Sequence, residues 1–97
     1  MNLGQLPAAD VMRMRLAAEA EPTPVWTGDL SDDCTALWAG FTLRAEEMDD
    51  GIWWWAICVD AFHRQIASSN DTGVSPTTGE EARAAAFRAA RSFLYPR

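Results

Sequence analysis

Ninety-seven residues with 48% apolar and 23% charged side chains fit one small globular domain, which excludes a second core and wholesale disorder. Fourteen acids against eight bases give a formal charge of -6, which argues against a protein that grips a phosphate backbone through Lys and Arg. No stretch reaches the roughly 20 apolar residues of a membrane span, and the start MNLGQLPAADVMRMR lacks the basic and apolar regions of a secretory leader, so a soluble cytoplasmic chain is expected.

Pro7 suits a first helical turn, and Ala8, Met12 and Leu16 recur four apart, which predicts a helix over 7–21 with that stripe inward. Glu21-Pro22-Thr23-Pro24 ends it, and residues 22–34 are expected to form a connector in which Trp26 folds onto the core. From Thr35 to Glu46 the odd positions Leu37, Ala39, Phe41, Leu43 and Ala45 are apolar, as in a strand. That alternation sends Trp38, Thr42 and Arg44 to the opposite face. Met48-Asp49-Asp50-Gly51 signals a tight hairpin, because glycine takes positive φ without steric cost. Ile52 to Val59 is apolar on both faces and reads as a central strand, with Trp53 and Trp55 on one side and Trp54 on the other. After a turn at Asp60-Ala61-Phe62, Arg64 to Ser69 reads as an edge strand through which Ile66 reaches the core. Residues 70–77 form a polar loop. Thr78-Gly79-Glu80-Glu81 is a capping-box pattern opening a helix over 78–95, whose inward arc is Ala82, Ala86, Ala89, Ala90, Phe93 and Leu94. The expected fold is α+β in one domain, α-β-β-β-α, with a three-stranded antiparallel sheet over 35–69 backed by the C-terminal Ala-rich helix.

Charge is unevenly distributed. Asp10 to Asp60 holds eleven acids and three arginines, whereas Ala61 to Arg97 holds three acids and five arginines. Every basic residue is Arg and alanine is abundant, a bias typical of GC-rich bacterial or phage genes.

No pattern of titratable residues makes a catalytic or metal constellation. His63 is the only histidine and has no Cys or carboxylate at the spacing of a metal site. Cys58 and His63 flank one turn, but Cys58 sits between apolar residues that stabilise no thiolate. Cys34 and Cys58 are expected to be reduced and buried. There is no G-x-S-x-G elbow and no Gly-rich phosphate loop. Asp29, Ser31, Asp32 and Asp33 resemble a fragment of a calcium loop without its closing Glu, and Glu46, Glu47, Asp49 and Asp50 read as a solvated acidic turn. The expectation is a protein that is not an enzyme and holds no cofactor and no metal.

Five tryptophans in this length point to a surface that binds. The face carrying Trp38, Arg44 and Trp54 is the candidate partner-binding surface. If the first helix covers that face, these rings are core; if both helices pack on the other side, they form an exposed aromatic patch rimmed by Arg44. The second candidate is the acidic hairpin of Glu46, Glu47, Asp49 and Asp50, which could stand in for phosphates on a basic partner. The expected partner is a protein, with no direct nucleic acid and no membrane, and a homodimer is left open. Two functions follow: a protein-interaction module, and an acidic inhibitor or antitoxin that blocks a basic nucleic-acid site.

The expected order of helix, three strands and Ala-rich helix resembles the double-stranded RNA-binding domain. That family grips phosphate with basic residues at the start of its last helix and has its own loop between its first two strands. This chain has Gly79-Glu80-Glu81 and Glu46 to Asp50 there, so the resemblance implies shape without RNA binding. The Asp49-Asp50-Gly51 hairpin and the Thr78-Gly79-Glu80-Glu81-Ala82 helix start are also similar to HicB-like antitoxins. That resemblance implies an inhibitory, acidic role.

Overall fold

Two residues, Ala39 and Gly40, decide the architecture. In the computed structural model, which describes residues 6–59 and 64–96, they take φ of 53° and 90°. Positive φ at both central residues is the geometry of a two-residue hairpin, and it cuts the expected strand over 35–46 in two. The chain then forms α1 (Ala8–Ala20), β1 (Thr27–Asp29), β2 (Asp33–Trp38), β3 (Phe41–Asp49), β4 (Ile52–Val59), β5 (Arg64–Ser68) and α2 (Gly79–Leu94), with a 3-10 turn over Ser69–Asp71. All five strands lie antiparallel in chain order, β1-β2-β3-β4-β5. The three-stranded sheet expected from the sequence is therefore corrected to five. The alternation over 35–46 hid a turn, and the polar connector supplies β1 and the start of β2.

The register fixes which side chains share the core. Residues directly opposite in an antiparallel pair point to the same face. Trp38 pairs with Phe41, Ala36 with Leu43 and Cys34 with Ala45, while Phe41, Leu43 and Ala45 pair with Val59, Ile57 and Trp55. All of these are buried. Across this face lies α2, whose buried residues Ala82, Ala86, Ala90 and Leu94 recur four apart, with Phe87, Ala89 and Phe93 half-buried beside them. Its approach is close: a Cβ on Gly79 would lie 2.8 Å from the Trp53 ring. Thr78 caps the helix by accepting from the Glu81 N–H at 3.1 Å, and the Glu81 carboxylate accepts in turn from the Thr77 and Thr78 hydroxyls.

The first helix docks differently from its expected stripe. Met14 and Ala18 are its buried residues, whereas Met12 and Leu16 are 67% and 68% exposed. Its rotation is set by what it meets. The Met14 side chain lies over Gly40, Arg15 Nε donates to the Leu94 carbonyl at the end of α2, and the Trp38 Nε1–H donates to the Glu21 carbonyl at 2.7 Å.

β5 pairs with β4 only from Ala56 to Val59 and leaves the start of β4 uncovered. The Trp55 N–H beyond it donates to Ser69 Oγ at 3.3 Å, and the Trp53 N–H to the Pro76 carbonyl at 2.8 Å. The 70–77 segment is thus held along β4, and no buried polar side-chain atom lacks a partner among the described residues. No helix among the described residues is long and apolar enough to cross a membrane.

Candidate interaction surface

Both helices join the core on the Phe41 face, so among the described residues no helix lies on the opposite face of the sheet. Its centre is Arg44. The register sets Arg44 opposite Thr35 and Ala56, and Glu46 opposite Trp54. The guanidinium lies 5.7 Å from the Trp54 ring centroid, with Nη2 at 3.2 Å from Glu46 Oε2 and 3.7 Å from Asp33 Oδ1. A cation over an indole face is held by the ring quadrupole, and the two carboxylates fix it from the side. Trp54 is half-buried. Leu37 and Ile52 on the same face are 73% and 46% exposed, so apolar surface flanks the Arg44–Trp54 pair.

Trp38 is not part of this surface. It is 2% exposed and sits in the opposite layer, edge-on to Phe87 at 5.0 Å between ring centroids. The continuous strand expected over 35–46 would have kept Trp38 and Phe41 on opposite faces. The Ala39-Gly40 turn restarts the alternation and puts them together. The structure therefore brings Arg44 and Trp54 into contact and separates Trp38 from both. Leu37, which an unbroken alternation puts on the Phe41 side, takes its place on the open face.

The acidic hairpin has a larger context than its own four residues. Glu46 lies on the open face beside Arg44, Glu47 is half-buried, and Asp49 and Asp50 are exposed at the turn, where Asp49 Oδ1 accepts from the Asp50 N–H. Asp33 pairs with Glu46, and the Glu47 N–H donates to the Asp32 carbonyl at 2.7 Å. This brings the β1–β2 turn, with Asp29, Asp32 and Asp33, against the hairpin. Carboxylates some fifteen residues apart in sequence meet at one end of the sheet, a convergence that only strand pairing reveals.

Asp29 serves that turn directly. Its Oδ1 accepts from the Ser31 hydroxyl at 2.6 Å and from the Ser31 N–H at 2.9 Å, and these bonds to the ionised form hold its pKa below the ordinary aspartate value. The calcium-loop likeness is thus a turn built around Asp29. No group of three His, Cys, Asp or Glu suited to a metal ion occurs among the described residues.

The thiols are unpaired. Cys34 is buried, its Sγ 3.6 Å from the Ala45 carbonyl and 3.7 Å from an Arg83 nitrogen, while Cys58 is half-buried on the open face. The expectation of two buried thiols is corrected for Cys58, because its position in β4 alternates away from the helices. His63 and the Asp60-Ala61-Phe62 turn lie outside the described residues. No family model matches the chain, and no characterised protein or solved structure does either.

Proposed function

We propose that the protein is a non-catalytic interaction module that docks a protein partner on the sheet face opposite α1 and α2. The observation that carries this reading is the Arg44–Trp54 pair, a cation held over a half-buried indole in a face flanked by exposed Leu37 and Ile52. Aromatic and Arg side chains at the centre of a patch, with apolar neighbours, have the composition of interface hot spots. The carboxylates gathered beside it select a partner with a basic surface and steer its approach.

The test is capture from a lysate of the source organism by immobilised wild-type chain, Trp54→Ala and Met12→Ala, the last altering an exposed residue of α1. A protein retained by wild type and Met12→Ala but lost with Trp54→Ala supports the reading. Capture that is indifferent to Trp54 overturns it.

The acidic end favours a second reading, an inhibitor that occupies a basic nucleic-acid site. Replacing Glu46, Glu47, Asp49 and Asp50 by their amides should slow association with the captured partner and flatten its salt dependence, and an RNA or DNA oligonucleotide should compete. Unchanged salt dependence together with no competition removes this second reading and leaves the first.

A further inference from the structure

The flank of α2 that faces the 72–76 loop bounds a groove of about 560 Å³. Trp55 and the helix residues Ala84, Ala85 and Ala89 line it, and Val74 on the loop is 71% exposed. Alanine side chains let a second helix approach closely, since interaxial distance is set by the residues at the contact. The first helix does not block this approach. Its contacts with Gly40, Leu94 and Trp38 hold it at the β2–β3 turn and the C-terminal end of α2, whereas the loop is tied to β4 through Pro76.

Two exposed charges border the groove, Glu81 and Arg88. They lie seven residues apart, about 10.5 Å along a helix, too far to pair within one chain. None of the ion pairs among the described residues involves Arg88.

We propose that this groove is the interface of a homodimer in which two α2 helices cross antiparallel about a twofold axis between residues 84 and 85. That one rotation sets Glu81 of each copy against Arg88 of the other. The contact is made twice, as an isologous interface requires. Ala84 and Ala85 fall at the axis, where the backbones come closest. A parallel crossing in register would oppose like charges instead, so the pattern selects the antiparallel one. The occupant is a second copy because the groove supplies the complement of its own charges. The dimer would carry two Trp54 docking faces at a fixed separation.

Sedimentation equilibrium of the full chain over a concentration series reaching the millimolar range tests this. Wild type should form a dimer. Glu81→Arg and Arg88→Glu should each weaken self-association about tenfold, since each sets two like-charged pairs in place of two opposite ones. An equimolar mixture of the two variants should restore dimerisation, because the mixed dimer opposes unlike charges at both contacts. Ala84→Glu should abolish it by bringing two introduced carboxylates together at the axis. Circular dichroism and urea midpoints accompany each variant because Glu81 also serves the helix cap; if Glu81→Arg does not fold, Arg88→Glu and Ala84→Glu decide. A wild type that stays monomeric throughout, folded variants that dimerise as tightly as wild type, or a mixture no tighter than its components overturns the proposal.

Discussion

Trp38 and Phe41 stack across the turn that joins β2 to β3, their rings 6.3 Å apart between centroids and 16° from parallel. The stack exists because Ala39 and Gly40 both adopt positive φ, which makes the two aromatic residues directly opposed partners on the core face. A single backbone reversal thus moves one tryptophan from a proposed docking surface into the core.

Ala39 is the only non-glycine with positive φ among the described residues. An L-residue in the left-handed region places its Cβ close to the following carbonyl, at a cost of roughly 1–2 kcal/mol. Ala39→Gly relieves that contact and adds no volume, against a smaller loss from the more flexible unfolded chain. The expected result is a net gain of about 0.5 to 1 kcal/mol in urea unfolding. A lower midpoint would show that the half-buried Ala39 methyl contributes more through packing than it costs in backbone strain.

Legibility followed the strength of the local signal. The closing helix was readable because its cap and its alanine period agree, and Ala82, Ala86, Ala90 and Leu94 are buried as expected. The Asp50-Gly51 hairpin was readable because Asp-Gly marks a tight turn. Ala-Gly carries a weaker turn signal, and an apolar alternation runs unbroken through it, so β2 and β3 read as one strand. β1 is three exposed residues held by pairing with β2, and its own composition resembles a loop. The buried side of α1 is Val11, Met14 and Ala18, an i, i+3, i+7 stripe that competes with Ala8, Met12 and Leu16, and the choice between them is made by Met14 against Gly40 and Arg15 at Leu94. At the candidate site, Arg44, Trp54 and the hairpin acids were readable as residue types. The loss of Trp38, the gain of Leu37 and the convergence of Asp33 with Glu46 all required the register.

Gly79 begins α2 against the Trp53 ring, with no room for a methyl group. Gly79→Ala favours the helix by propensity but forces the helix start or the ring to move, and overpacking a fitted contact typically costs about 1–3 kcal/mol. Net destabilisation is expected. Ala86→Leu, fully buried on the same face, should be destabilising over the same range of roughly 1–3 kcal/mol. Ala84→Leu lies on the exposed side and should be near neutral in the monomer. Equal urea midpoints for Ala86→Leu and Ala84→Leu would contradict the placement of α2.

The carboxyl of Asp29 is held below its ordinary pKa first by the Ser31 hydroxyl and then by the Ser31 N–H. A depressed folded-state pKa contributes stability that is present above the unfolded value and is lost as pH falls through the folded one. Ser31→Ala removes the larger of the two bonds, so the Asp29 pKa should rise toward the unfolded value and the contribution should shrink at neutral pH. Side-chain carboxyl NMR titration measures this directly. An unchanged Asp29 titration would show that the hydroxyl bond does not set the acidity of the β1–β2 turn.

The two faces of the sheet make opposite demands on their tryptophans. Trp38 and Trp55 are 2% and 5% exposed, and Trp38 also donates its N–H to the Glu21 carbonyl, so truncation leaves a cavity at either site and at Trp38 also loses that bond. Core Trp→Ala changes typically cost about 3–5 kcal/mol, comparable with the roughly 5 kcal/mol at the lower end of domain stability. Trp38→Ala and Trp55→Ala should therefore be largely unfolded or melt at far lower urea. Trp54 meets solvent and the Arg44 guanidinium, a contact of about 0.5–1 kcal/mol at an exposed site, so Trp54→Ala should remain folded with a modest loss of stability. If Trp54→Ala unfolds as readily as the other two, the ring holds the sheet together, and a loss of partner binding in that variant would say nothing about a docking face.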